Sequence, residues 1–289
     1  MCYHSGMAER RDPRRNAYGN RYSGSRRQAP VRHERRPASA RQDRRRTAPA
    51  QRRRASRGAS VRLILLIAVI AAAAVTALLI VRNRPHRAVH PLDTDLSGRV
   101  ICIDPGHGGS QVGADAEGIY ESDLNLAIAL CVRDTLRQAG ATVVMTRETD
   151  ADVPLEERAR IANDAGAEVF VSIHQNITPE NDSVNGAETW IYSADTADAV
   201  TLGSHIQSCL TARTGSDDRG LYESSELAVL RLTQMTACLV ECGFMSNHAE
   251  LARLASDDYQ ALAAYGIAEG IALHLSGAEA PRYPVLRQS

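Results

Sequence analysis

Lysine is absent from all 289 residues, so every one of the 34 basic side chains is an arginine. Aromatic residues are scarce: one Trp, two Phe and nine Tyr. A core therefore has to come from Leu, Ile, Val and Ala. No C-x-x-C pair occurs, which excludes the usual zinc-ribbon and dithiol redox spacings. The six cysteines are Cys2, Cys102, Cys131, Cys209, Cys238 and Cys242, and most sit among apolar neighbours. They read as small core residues and not as a disulfide frame. Net charge is also absent, with 34 acids against 34 bases. That balance hides two unlike halves. Residues 1–62 hold 19 Arg against Glu9, Asp12, Glu34 and Asp43, a net +15, and the rest of the chain carries −15.

The tail 1–62 has almost no large apolar side chains and cannot bury enough surface to offset the entropy of ordering, so disorder is expected. Its charge suits nucleic acid or anionic lipid, but a solvated tail that sets membrane orientation is the simpler reading, and no nucleic-acid partner is expected. Residues 63–81, LILLIAVIAAAAVTALLIV, carry no charge. At 1.5 Å per residue such a run spans about 28 Å, enough for one transmembrane helix. The heavier positive charge precedes it, which places the N-terminus in the cytoplasm and the body outside a single-pass membrane anchor. Residues 82–98 contain two Pro and no periodicity and read as a linker, with a reach of at most about 56 Å. The last residues, 278–289, read as a loose tail.

Between them, 99–277 alternates strand and helix patterns. VICID at 100–104, TVVMT at 142–146, EVFVSIH at 168–174, the segment 187–192 and ACLVE at 237–241 read as strands. Helical spacing covers 122–139, 154–165, 197–214 and 257–275. This order predicts an α/β fold, a single catalytic domain with a mostly parallel central sheet flanked by helices. Sites in such sheets lie beyond the C-terminal strand ends. Three of the predicted strands deliver chemistry there: His107 just after the first, His174 at the end of the third, Glu241 at the end of the fifth. Glu121 precedes the first helix. Two His and a carboxylate are a common catalytic zinc set, leaving one position for water. A further carboxylate can shuttle the water's proton. Each residue alone has a plain structural reading: a hydrogen-bonded His, an acid at a positive helix end, a buried ion-pair partner.

The motifs IDPGHGG (103–109), Glu121 ahead of a helix, SIHQN (172–176) and VECGFMSN (240–247) together resemble the zinc-dependent N-acetylmuramoyl-L-alanine amidases of bacterial cell walls, the amidase-3 family. The resemblance covers roughly residues 99–276. It implies about six strands, one Zn2+ held by His107, Glu121 and His174, and Glu241 as the catalytic carboxylate. It implies peptidoglycan as partner and hydrolysis of the amide between the lactyl group of N-acetylmuramic acid and L-alanine of the stem peptide. Gln175 and Cys242 depart from the family pattern, which has small or aliphatic residues there. Asn176, Arg219 and Asn247 are candidate substrate-lining groups, with turn or capping roles as the alternative. The strand ending near Trp190 leads almost directly into the next helix, leaving no room for the inhibitory helix some members insert. Competing readings are an inactive amidase fold that binds wall or recruits a partner, a zinc peptidase acting on another stem-peptide bond, and an active Arg-rich tail with the body as cargo.

Overall fold

The computed structural model describes residues 62, 64–71 and 92–287. The expected basic tail, but for Arg62, lies outside the described residues, as do residues 82–91 of the expected linker and much of the expected span 63–81. Residues 92–98, expected as linker, belong instead to the body: Leu96 is buried in the core and its N–H donates to the Ala139 carbonyl at 2.7 Å. Residues 64–71 are helical with exposed apolar side chains such as Ile64, Leu65 and Ile70. Among the described residues no helix is long and apolar enough to cross a membrane.

The body begins with strand β1 (Val100–Pro105), followed by a two-stranded hairpin of β2 (Asp115–Ala116) and β3 (Ile119–Tyr120). Helix α1 (Glu121–Gln138), strand β4 (Thr142–Met145), helix α2 (Leu155–Asp164) and strand β5 (Val169–Asn176) come next. Then follow β6 (Ala187–Ile191), α3 (Ala197–Thr214), β7 (Asp218–Glu223), α4 (Ala228–Leu232) and β8 (Thr236–Phe244). Helices α5 (His248–Leu254) and α6 (Asp257–Leu275) precede a final strand, β9 (Val285–Arg287). The main sheet has the order β4-β1-β5-β8-β6-β7-β9.

Strand periodicity divides the core between the two faces of this sheet. Ile101, Ile103, Val169, Val171, Ile173, Cys238 and Val240 face one way, onto α1, α3 and α6. Cys102, Phe170, Ala237 and Leu239 face the other, where Ala162 of α2 and Val229 and Leu230 of α4 cover them. The central strands are buried on both sides, which explains their near-continuous apolar sequence. Helix α6 lies so close to α3 that a Cβ on Gly270 would come within 2.5 Å of the Ile206 Cα. Cys102, Cys131, Cys209, Cys238 and Cys242 are all free thiols, and all but the half-buried Cys209 pack in the core as apolar side chains.

Within the main sheet, three features differ from the sequence-based expectation. Strand β6 pairs antiparallel with β8. The ten residues between β5 and β6 contain no helix, too little chain for a parallel crossover. Residues 218–223 form β7 despite having only Leu221 fully inside. The segment from 278, expected as a loose tail, instead adds β9 to the edge: Leu221 pairs with Val285, and Tyr283 donates to Asp218 Oδ2 at 2.6 Å. Five residues separate β6 from α3, in line with the short connection read from the sequence.

Candidate metal centre

Strands β1, β5 and β8 are parallel neighbours, so their C-terminal ends lie side by side. His107 follows β1 in a turn whose backbone takes the left-handed conformation at His107 itself, φ 58°. A non-glycine residue holds that conformation only when its surroundings impose it. Here two buried arginines do so. Arg147 Nε donates to the Pro105 carbonyl at 2.9 Å, and its Nη2 to the carbonyls of Gly106 and Ser122, both at 2.8 Å. Arg158 donates to the carbonyls of Pro105 and His107, both at 2.7 Å. The Arg158 charge is matched by Asp104 at 2.7 Å, with the two side chains 4% and 1% exposed. Thr146 and Ser172 hydroxyls also donate to Asp104, at 2.5 and 2.7 Å. Burial opposes ionisation of Asp104, but the Arg158 charge and these hydroxyls hold its pKa below the ordinary value. Asp150 and Asp152 accept from the N–H groups of Gly109 and Ser110 and pin the far side of the turn.

Glu121 is the first residue of α1, buried at the positive end of the helix. Its Oε2 accepts from the Ala114 N–H at 3.0 Å and lies 3.2 Å from His107 Nε2. Its Oε1 lies 2.9 Å from His174 Nδ1. Ligand atoms of His107, Glu121 and His174 all fall within 4.8 Å of one another. Burial resists the Glu121 charge, but the two imidazoles hold its pKa well below the carboxylate range. Two imidazole nitrogens and a carboxylate oxygen are the donor set for a divalent ion such as zinc, and His107 Nε2 has no hydrogen-bond partner. The side chains of His107 and His174 are 26% and 12% exposed, so the cluster opens to solvent.

Two glycines make room for it. A Cβ on Gly106 would collide with the His174 ring, and one on Gly113, at φ 73°, with Glu121 Oε2 and His107 Cδ2.

Glu241 sits on β8 opposite His174 on β5 and Glu188 on β6. It is buried, and its Oε2 has no hydrogen-bond partner. Burial first, and then the charges of Glu121 and Glu188, raise its pKa well above the usual value. The four residues singled out in sequence are thus brought to one end of the sheet. Of the three candidate lining groups, Arg219 and Asn176 converge on Glu188, donating to it at 2.7 and 3.1 Å. The Arg219 guanidinium also lies over the Phe244 ring. The Asn247 side chain caps α5, accepting from the Glu250 N–H at 3.0 Å. Sequence reasoning missed Arg147, Arg158, Asn125, Gly113 and Glu188. An arginine in a polar stretch reads as surface, and only the fold turns these two inward.

Comparison with known proteins agrees with this geometry. The family described as N-acetylmuramoyl-L-alanine amidase matches residues 101–273, more than half of the chain. The uncharacterized protein YqiI of Bacillus subtilis is 38% identical over 177 residues, covering 61% of this chain and 84% of YqiI. The N-acetylmuramoyl-L-alanine amidase LytC of the same species is 34% identical, covering 66% of this chain and 39% of LytC. The crystal structure of an N-acetylmuramoyl-L-alanine amidase from Clostridium difficile 630 superposes with a TM-score of 0.60 at 34% identity, covering 63% of this chain and 98% of that one. A match that runs from β1 to α6 and takes in every strand end bearing the cluster makes this chain a member of the N-acetylmuramoyl-L-alanine amidase family.

Proposed function

We propose that this protein is a zinc-dependent N-acetylmuramoyl-L-alanine amidase that cuts peptidoglycan between the lactyl carbonyl of N-acetylmuramic acid and the nitrogen of L-alanine. The observation that carries this reading is the convergence of His107, Glu121 and His174 within 4.8 Å, with Glu241 on the adjacent strand facing the same end of the sheet. His107 Nε2, His174 Nδ1 and a Glu121 oxygen would hold the ion. Zinc bound there supplies electrophilic activation of the scissile carbonyl and of water. Glu121, kept ionised, offsets the ion's charge and is itself aimed by the N–H groups of Ala114 and Gln175. Glu241 has the raised proton affinity that a general base needs near neutral pH. It takes a proton from the attacking water and passes it to the departing nitrogen. The hydroxyl ends on the lactyl carbonyl as a carboxylic acid, and L-alanine leaves with a free α-amine.

The anchor is part of the same proposal. The uncharged run 63–81 is long enough to cross a bilayer, and the excess of arginine before it favours a cytoplasmic N-terminus. The body then works outside a bacterial cell membrane, on wall within reach of the linker. Membrane fractionation of cells tests this: release of the intact protein by high salt alone contradicts a single-pass anchor.

The decisive experiment for the chemistry is digestion of purified peptidoglycan by the detergent-solubilised protein. Mass spectrometry of the products should find free stem peptides beginning with L-alanine, and a chelator should stop their release until zinc is restored. Cleavage at a different amide would replace this reading with a stem-peptide peptidase, and a wild type that leaves the wall uncut would replace it with a binding role.

A further inference from the structure

We infer that Gln175 is a positioning residue for the metal centre, acting through Asn125 to orient the Glu121 carboxylate. This rests on the metal-site reading above. Gln175 follows His174 on β5 and is fully buried, as is Asn125 one turn after Glu121 on α1. The Gln175 Nε2 donates to Asn125 Oδ1 at 3.2 Å. Asn125 Nδ2 in turn donates to Glu121 Oε1 and to the Gly106 carbonyl, both at 3.2 Å. One pair of amides therefore links the three segments that carry His107, Glu121 and His174.

The sense of the Asn125 amide matters. Its nitrogen donates and its oxygen accepts. Turned over, Oδ1 would face the Glu121 carboxylate and the Gly106 carbonyl, oxygen against oxygen. Gln175 Nε2, the donor opposite Oδ1, holds the amide in the sense that both acceptors on Nδ2 require. The other end of the Gln175 amide serves no such purpose: its Oε1 is buried with no hydrogen-bond partner. An unpartnered buried carbonyl costs stability, so an apolar side chain of similar volume would fill the space at least as well. The amide is thus explained by what its nitrogen holds and not by packing.

The test is zinc affinity of the detergent-solubilised full chain, read by competition with a chromophoric chelator, alongside thermal melting of the zinc-free protein. Gln175→Met keeps the volume and removes the donor. Outer partners of metal ligands typically change affinity by about 10–100-fold, so zinc should bind roughly tenfold or more weakly, with zinc-free melting unchanged or raised. Asn125→Ala should weaken zinc binding comparably, and adding Gln175→Met to it should change little further, because both act along one chain of contacts. Gln175→Leu gives a second apolar filling, so that one misfit side chain does not decide the outcome. Unaltered zinc affinity in both apolar variants overturns the inference while leaving the metal site standing. So does an undiminished effect in the Asn125→Ala background. A wild type that binds no zinc removes both readings together.

Discussion

Replacing Asp104 with Asn should destabilise the body severely although it changes one atom of the side chain. Asp104 is 1% exposed and its partner Arg158 4% exposed, with oxygen and nitrogen 2.7 Å apart. Water cannot reach Arg158 to compensate the lost charge. Removing one partner of a buried pair costs about 3–5 kcal/mol. Thr146 and Ser172 would each still find an oxygen or nitrogen at position 104, so their loss adds little. For a domain of this size, each kcal/mol moves the melting temperature by about 2–4 °C, so a drop of roughly 6–20 °C is expected. Urea unfolding of the two proteins, followed by circular dichroism, measures the difference. The pH dependence has a definite sign. Asp104 has a folded pKa below its unfolded value. Its stabilisation is therefore present above the unfolded pKa of about 3.9 and fades as pH falls through the lower, folded value. The gap between wild type and Asp104→Asn should narrow in that acid window and be full at neutral pH. A gap below about 1 kcal/mol at pH 7 would refute the claim that this pair is buried and mutually dependent. Pairing Asp104→Asn with Arg158→Met should recover part of the loss, since no charge is then left uncompensated.

Other expectations follow from the same geometry. Glu241→Gln should lower turnover by about 10²–10⁴-fold with zinc content unchanged by elemental analysis; loss of the metal as well would place Glu241 among the ligands. Gly113→Ala should abolish zinc binding, because the added carbon meets Glu121 and His107 at a φ of 73°; retained affinity in chelator competition would contradict that packing. Gly270→Ala should cost about 1–3 kcal/mol in urea unfolding by forcing α6 away from α3, with zinc affinity intact because the contact is remote from the cluster.

The fold class and the meeting place of the four candidate residues were legible in the chain because both depend on short-range pattern. Apolar runs of strand length alternating with helical spacing predict a layered sheet, and a parallel sheet brings its C-terminal strand ends together whatever the loops do. His107, His174 and Glu241 therefore converge as soon as β1, β5 and β8 become neighbours. The order of those strands and the reversal of β6 were not legible, since pairing partners depend on chain connections and not on local pattern. Residues 285–287 lack strand length, and only the open edge of β7 makes them a strand.

The sequence by itself determined which side chains are able to bind a metal and move a proton, because ligand chemistry belongs to the residue type. Tertiary structure alone decided how those side chains are held. Arg147 and Arg158 look like surface charges in one dimension, and Asn125 and Gln175 lie 50 residues apart. Burial makes each of them answerable to a specific partner, and burial is a property of the assembled layers that no local stretch of sequence contains.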